Sequence, residues 1–177
     1  LKLLSREEFE KSIDFRLNKK NILVTFHPVT LENLTAKEQF QELLDAIDEL
    51  EDTNIIFTKA NSDTDGRVIN QMIDEYVAKN SHKSIGFSSL GQLRYLSALK
   101  FVDSVVGNSS SRLLEAPSFK IGTINIGDRQ KGRIKAESVI DCEAKKVEIS
   151  KAFGEIYSKE FQEKLKNVES PYGEIRL

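Results

Sequence analysis

The sequence predicts an α/β domain: a parallel sheet covered by helices on both faces. Strand-like and helix-like segments alternate from one end to the other, and the strand-like segments are continuous apolar runs such as NILVTF at 21–26. A strand without in-out alternation is buried on both faces, and sheets buried on both faces are parallel ones flanked by helices. At 177 residues the chain has the size of one ordinary domain with room for a real core.

Each element follows from local pattern. Ser5 with Glu8 three residues on is a capping box, opening a helix with Phe9, Ile13 and Leu17 on one face and ending at Asn18, Lys19 and Lys20. The strand at 21–26 is stopped by His27-Pro28. Thr35 and Glu38 form a second capping box, for a helix carrying Phe40, Leu43, Leu44, Ile47 and Leu50. A strand at 54–58, the polar loop KANSDTDG and a helix with Val68, Ile69, Met72, Ile73, Tyr76 and Val77 follow. The second half repeats the scheme. A strand at 83–86 passes through Phe87-Ser88 to a helix capped by Ser89, and a strand at 102–106 runs into a serine-rich helix start. Strands at 122–126 and 138–141 flank the loop GDRQKGR, one long helix covers 148–167, and the tail ESPYGEIRL reads as irregular.

Composition removes several classes of function. With 26 Lys+Arg against 28 Asp+Glu, the net charge of -2 provides no global field for nucleic acid or anionic lipid, so any anion site is local. Cys142 is the only cysteine, which rules out an internal disulfide framework and fits a reducing, cytoplasmic compartment. No apolar run reaches membrane-spanning length, and residues 1–6 lack the apolar core of a secretory signal. The absence of an initiating Met predicts that the chain is a piece of a longer polypeptide.

The informative stretch is VVGNSSSRLLEAP at 105–117. A strand that runs through Gly107 into Asn108, Ser109, Ser110 and Ser111 and then a helical pattern is an anion-binding arrangement, because the first amide N–H groups of a helix lack internal partners. Glu115, one turn in, can accept two hydrogen bonds from a vicinal diol such as a ribose. Phosphate donors followed by a diol acceptor read as a nucleotide site, while the same residues also suit a plain turn with a serine cap. Parallel strands bring the loops HPVTLE, KANSDTDG, GFSS, GNSSS and GDRQKGR to one sheet edge, where open α/β sheets bind ligands. The dinucleotide fingerprint, the P-loop and the G-x-S-x-G elbow are absent. Without H-E-x-x-H or paired Cys, a metal site has little support.

The segments FHPVTLEN, NSDTDGRVINQMIDEYV, SLGQLRYLSALKFVDSVVGNSSSRLLEAPSFKIGTINIGDRQKGRI and KAESVIDC resemble the C-terminal half of UDP-N-acetylglucosamine 2-epimerases, and within them the hydrolysing, N-acetylmannosamine-releasing branch of sialic acid synthesis. The resemblance implies that residues 1–177 are a single Rossmann-like, nucleotide-binding C-terminal domain of a glycosyltransferase-B-like two-domain enzyme. It implies UDP and UDP-N-acetylglucosamine as ligands, no cofactor, and a homo-oligomeric full-length protein. Ser109 and Ser110, with Ser111 beside them, would hold the diphosphate, Glu115 the ribose, and Phe87 the uracil. His27 would act on the leaving phosphate as the catalytic group of this half; Asn61 and Arg129 would line the cleft. The implied chemistry is elimination of UDP to a 2-acetamidoglucal, then addition of water with inversion at C2. The carboxylates for it belong to the other half, so the resemblance implies that this chain alone turns nothing over. Arg112 stands where the family usually has Gly, and the tail PYGEIRL is shorter than usual.

Ordinary readings accompany these residues: His27 as a loop residue, Arg129 with Lys131 and Arg133 as a solvated loop, and His82 as surface. Asp63, Asp65 and Asp128 read as turn formers and Cys142 as buried and inert. The competing functions are the donor domain of a UDP-sugar glycosyltransferase and, third, a non-catalytic binding module. The latter would want an acidic cluster where GDRQKGR stands.

Overall fold

The computed structural model describes residues 2–27, 35–59, 64–107, 119–127 and 138–167. Within them, six strands form one sheet: β1 (Lys20–Thr25), β2 (Thr53–Thr58), β3 (Ser84–Phe87), β4 (Ser104–Gly107), β5 (Gly122–Ile126) and β6 (Val139–Cys142). Their order is β3-β2-β1-β4-β5-β6, and every neighbouring pair is parallel. The α/β, Rossmann-like expectation is met.

Six helices accompany the sheet among the described residues: α1 (Arg6–Ile13), α2 (Ala36–Ile47), α3 (Thr64–Lys79), α4 (Gly91–Ala98), α5 (Lys146–Ile156) and α6 (Lys159–Lys166). Successive strand residues point to opposite faces, so Ile22, Val24, Ile55, Phe57, Val106 and Ile124 join one core with α2, α3, α5 and α6. Leu23, Ile56 and Val105 join a second with α1 and α4. The three layers thus follow from strands whose apolar centres, such as Ile22–Val24 in β1 and Ile55–Phe57 in β2, send side chains to both faces. β2 is buried from end to end.

Both capping boxes form, with Ser5 and Thr35 each accepting from the N3 amide while Glu8 and Glu38 return to the cap amide. The first helix is shorter than its periodicity suggests. Asp14 takes a left-handed conformation (φ 51°) and its N–H caps Glu10 and Lys11 carbonyls, ending α1 at Ile13. Leu17 is nevertheless buried, from the loop, where its amide donates to Glu10 Oε2 at 2.7 Å. The long helix at 148–167 is two helices. Ser158 is extended (φ -69°, ψ 150°) and its side chain accepts from the Phe161 amide, so the chain breaks at Tyr157-Ser158 and restarts with a fresh cap. Ser89 is not the cap of α4: that position is Leu90, without a side-chain bond, and Ser89 Oγ instead accepts from the Gly91 amide at 3.3 Å. The serine-rich helix start and the tail ESPYGEIRL lie outside the described residues.

At the amino edge, Asp103 ties three elements together. Its Oδ2 accepts from the Asn21 amide at 2.9 Å and from the Tyr157 hydroxyl at 3.0 Å, with Lys20 Nζ over the Tyr157 ring at 4.7 Å. Burial raises the Asp103 carboxyl above its ordinary 3.8, against the lowering effect of those donors, and burial beside Asp103 raises the Tyr157 hydroxyl. Because the folded state holds the Asp103 proton more tightly than the unfolded state, this group's contribution is fullest below pH 3.8 and declines as pH rises through the raised value. Asp103→Asn, which keeps an oxygen acceptor, is therefore expected to gain stability relative to the parent between pH 4 and pH 7 in urea melts. A gap that stays constant across that range would contradict the assignment. Asp103→Ala leaves a hydroxyl and an amide unpaired and is expected to lose about 1–3 kcal/mol at either pH.

Candidate functional site

The strand order fixes where a ligand can sit. The chain runs outward from β1 to β3, then returns across the sheet to β4 on the other side of β1. Connections leave β1 and β4 in opposite directions, and their carboxyl ends part to form the crevice where doubly wound sheets bind ligands. Thr25 and Gly107 are the last register pair of those two strands.

Several features converge at this seam. Phe26 is buried and packs on Phe40 with ring centroids 5.5 Å apart, anchoring the chain just before His27, which is half-buried. A Cβ on Gly107 would overlap the Thr25 carbonyl oxygen, so the two backbones meet there as only glycine allows. The hydroxyl of Thr25 is fully buried and has no hydrogen-bond partner among the described residues. Two strands away, Phe87 ends β3 rather than lying in the loop after it, paired with Thr58, and its carbonyl accepts from the Lys59 amide at 2.7 Å. Its ring is half-buried, with the Arg94 guanidinium 5.9 Å from the centroid; Arg94 Nε is tied to the Leu90 carbonyl at 2.8 Å. At the end of β5, Gly127 takes φ 136°, a conformation that favours glycine, and its N–H donates to the Cys142 carbonyl at 3.0 Å as the chain enters GDRQKGR.

Of the residues predicted from sequence, His27 and Phe87 are placed on this edge, with the strand ends that lead to the others. Asn61, Ser109, Ser110, Ser111, Glu115 and Arg129, together with Arg112, lie outside the described residues. Sequence reasoning did not single out Thr25 or Arg94. Thr25 reads as one more β-branched strand residue, and only the register with Gly107 distinguishes it.

The opposite edge holds a concavity of about 600 Å³, lined by Phe15, Leu17, Asn54, His82 and Lys83 among others. It lies between the turns that precede β1, β2 and β3, and neither His27 nor Phe87, the predicted site residues that are described, lines it. The topological crevice, where independent sequence features meet, is the better candidate. His82 is exposed there, as expected of a surface residue, and Cys142 is buried in β6. Among the described residues no helix is long and apolar enough to cross a membrane, and no group of three His, Cys, Asp or Glu side chains could hold a metal ion.

Comparison with known families matches residues 2–176 to UDP-N-acetylglucosamine 2-epimerase. The chain belongs to that family. A relative from Campylobacter jejuni, the hydrolysing GDP/UDP-N,N'-diacetylbacillosamine 2-epimerase, is 41% identical over 163 residues, covering 92% of this chain and 42% of the relative. Escherichia coli polysialic acid biosynthesis protein P7 is 36% identical over 173 residues, covering 97% and 44%. The chain thus spans less than half the length of these relatives. The solved UDP-GlcNAc 2-epimerase of Neisseria meningitidis, bound to UDP-GlcNAc, superimposes with a TM-score of 0.69 at 18% identity, over 94% of this chain and 44% of that one. The fold is therefore that of one half of the glycosyltransferase-B-like epimerases.

Proposed function

We propose that this chain is the UDP-binding, C-terminal half of a hydrolysing UDP-N-acetylglucosamine 2-epimerase, a single domain over residues 1–177 that works against a first domain in a longer polypeptide. One observation carries the reading: the strands leading to His27 and to GNSSSRLLEAP are neighbours that end together at the topological switch point. Serine hydroxyls and helix-start amides at Ser109, Ser110 and Ser111 suit a diphosphate, and Glu115 suits the ribose diol. Phe87 stands three strand spacings, roughly 14 Å, from Gly107, a separation that suits a role at the uracil of an extended nucleotide. Arg129 and Asn61 complete the cleft from neighbouring loops.

In the proposed reaction a base removes the C2 proton as the C1–oxygen bond breaks and the electron pair leaves with UDP, giving a 2-acetamidoglucal. Water then adds its hydroxyl to C1 and its proton to the opposite face of C2, releasing N-acetylmannosamine. His27 stabilises or protonates the departing phosphate. The base and acid carboxylates come from the other domain, so the chain alone binds UDP weakly and turns nothing over. We place the protein in the cytoplasm, as a homo-oligomer, on a sialic acid route.

A second substrate reading has its own support. The 41% identical relative is named for diacetylbacillosamine, a sugar with two acetamido groups. Incubating the full-length protein with UDP-N-acetylglucosamine and with UDP-N,N'-diacetylbacillosamine, and following free sugar by NMR, separates the two. Release of a 2-epimerised free sugar supports hydrolysing epimerisation, while a glycoside formed on an acceptor supports the glycosyltransferase alternative and overturns it. Within the chain, Glu115→Ala is expected to weaken UDP roughly ten- to a hundredfold, the worth of charge-assisted hydrogen bonds. Unchanged affinity would remove Glu115 from the ribose.

A further inference from the structure

Thr25 is the last residue of β1, fully buried, and its Oγ1 makes no hydrogen bond among the described residues. A buried hydroxyl without a partner destabilises the chain, and valine has nearly the same shape without that penalty. Other orphan hydroxyls exist, on Ser104, Thr123 and Ser138, but these stand at or near the amino-terminal starts of β4, β5 and β6. Among the described residues, Thr25 alone has an orphan hydroxyl at the carboxyl edge. It lies against Gly107: a Cβ placed there would stand 3.1 Å from Thr25 Oγ1. The oxygen therefore sits over the seam between the two strands whose ends form the crevice.

We propose that Thr25 is a positioning residue of the diphosphate subsite, its hydroxyl gaining in the nucleotide-bound protein the hydrogen-bond partner it lacks in the free chain. This rests on the nucleotide-binding reading above. Binding then recovers the cost carried by the free chain, so the hydroxyl contributes to affinity and opposes the stability of the unliganded fold. A purely structural threonine would do the reverse.

Two variants test this in the 177-residue chain, with NMR-monitored UDP titration and thermal melting as paired readouts. Thr25→Val is expected to melt no lower than the parent yet bind UDP about tenfold more weakly; Thr25→Ser, which keeps the hydroxyl, is expected to bind within about threefold of the parent. If Thr25→Val binds UDP as the parent does, or melts clearly lower, the hydroxyl has no ligand-linked role. If Thr25→Ser binds as poorly as Thr25→Val, the methyl packing matters instead and the proposal is overturned. A parent that does not bind UDP at all is a different result: it removes the nucleotide reading and this inference with it.

Discussion

Phe40→Ala is expected to lose about 3–5 kcal/mol of folding stability, the cost of emptying an aromatic-sized hole in a closed core. Phe40 is fully buried on α2 and stands mid-way in a row of rings: 5.5 Å from Phe26, 6.3 Å from Phe57, and Phe57 in turn 5.7 Å from Tyr76. That row ties α2 and α3 to β1 and β2. Truncation removes two ring contacts, each worth about 0.5–1.5 kcal/mol beyond burial, and loosens Phe26, the residue that fixes the approach to His27. Against a domain stability of about 5–15 kcal/mol, the loss is a large share of the whole. Urea denaturation followed by circular dichroism measures it directly. A loss under about 1.5 kcal/mol would mean that α2 collapses onto the hole and that the row is not a rigid support. Phe40→Leu, which refills most of the volume, is expected to cost less than half as much as Phe40→Ala.

The sheet was legible because burial on both faces leaves a mark: β1 and β2 each hold an uninterrupted apolar run at their centre, Ile22–Val24 and Ile55–Phe57, and their predicted spans shift by only one residue. Helix ends were less legible. Leu17 keeps the i, i+4 rhythm of Phe9 and Ile13, but it is buried from a loop, because periodicity records which side chains meet the core and not the backbone path that brings them there. The break at Ser158 had a written signal, a serine three residues before Phe161, outweighed by apolar residues that continue in phase on both sides. At the site, Gly107 and His27 were legible as strand-end residues. Thr25 was not, since an orphan hydroxyl is a property of the register between two strands whose paired residues lie 82 positions apart in sequence. A parallel sheet assembles its seams only in three dimensions.

The same seam yields the sharpest structural test. Gly107→Ala is expected to cost about 3 kcal/mol, the upper end of overpacking effects, together with most of the nucleotide affinity. The added Cβ meets the carbonyl oxygen and carbon of Thr25, which are backbone atoms, so no rotamer change can relieve the overlap. β1 and β4 are the two central strands, and Thr25 with Gly107 closes their ladder. Parting them there moves the exits towards His27 and towards GNSSS, which is why binding falls together with stability. Gly154→Ala is the matching control. Gly154 is exposed on α5, a Cβ there meets nothing within 4 Å, and the exchange is expected to stabilise by about 0.5–1 kcal/mol through reduced backbone freedom. Urea melts of both variants, with UDP titration of each, decide the matter. Should Gly107→Ala melt and bind like the parent, the close approach of β1 and β4 would not shape the crevice, and the site would have to be sought elsewhere along the carboxyl edge.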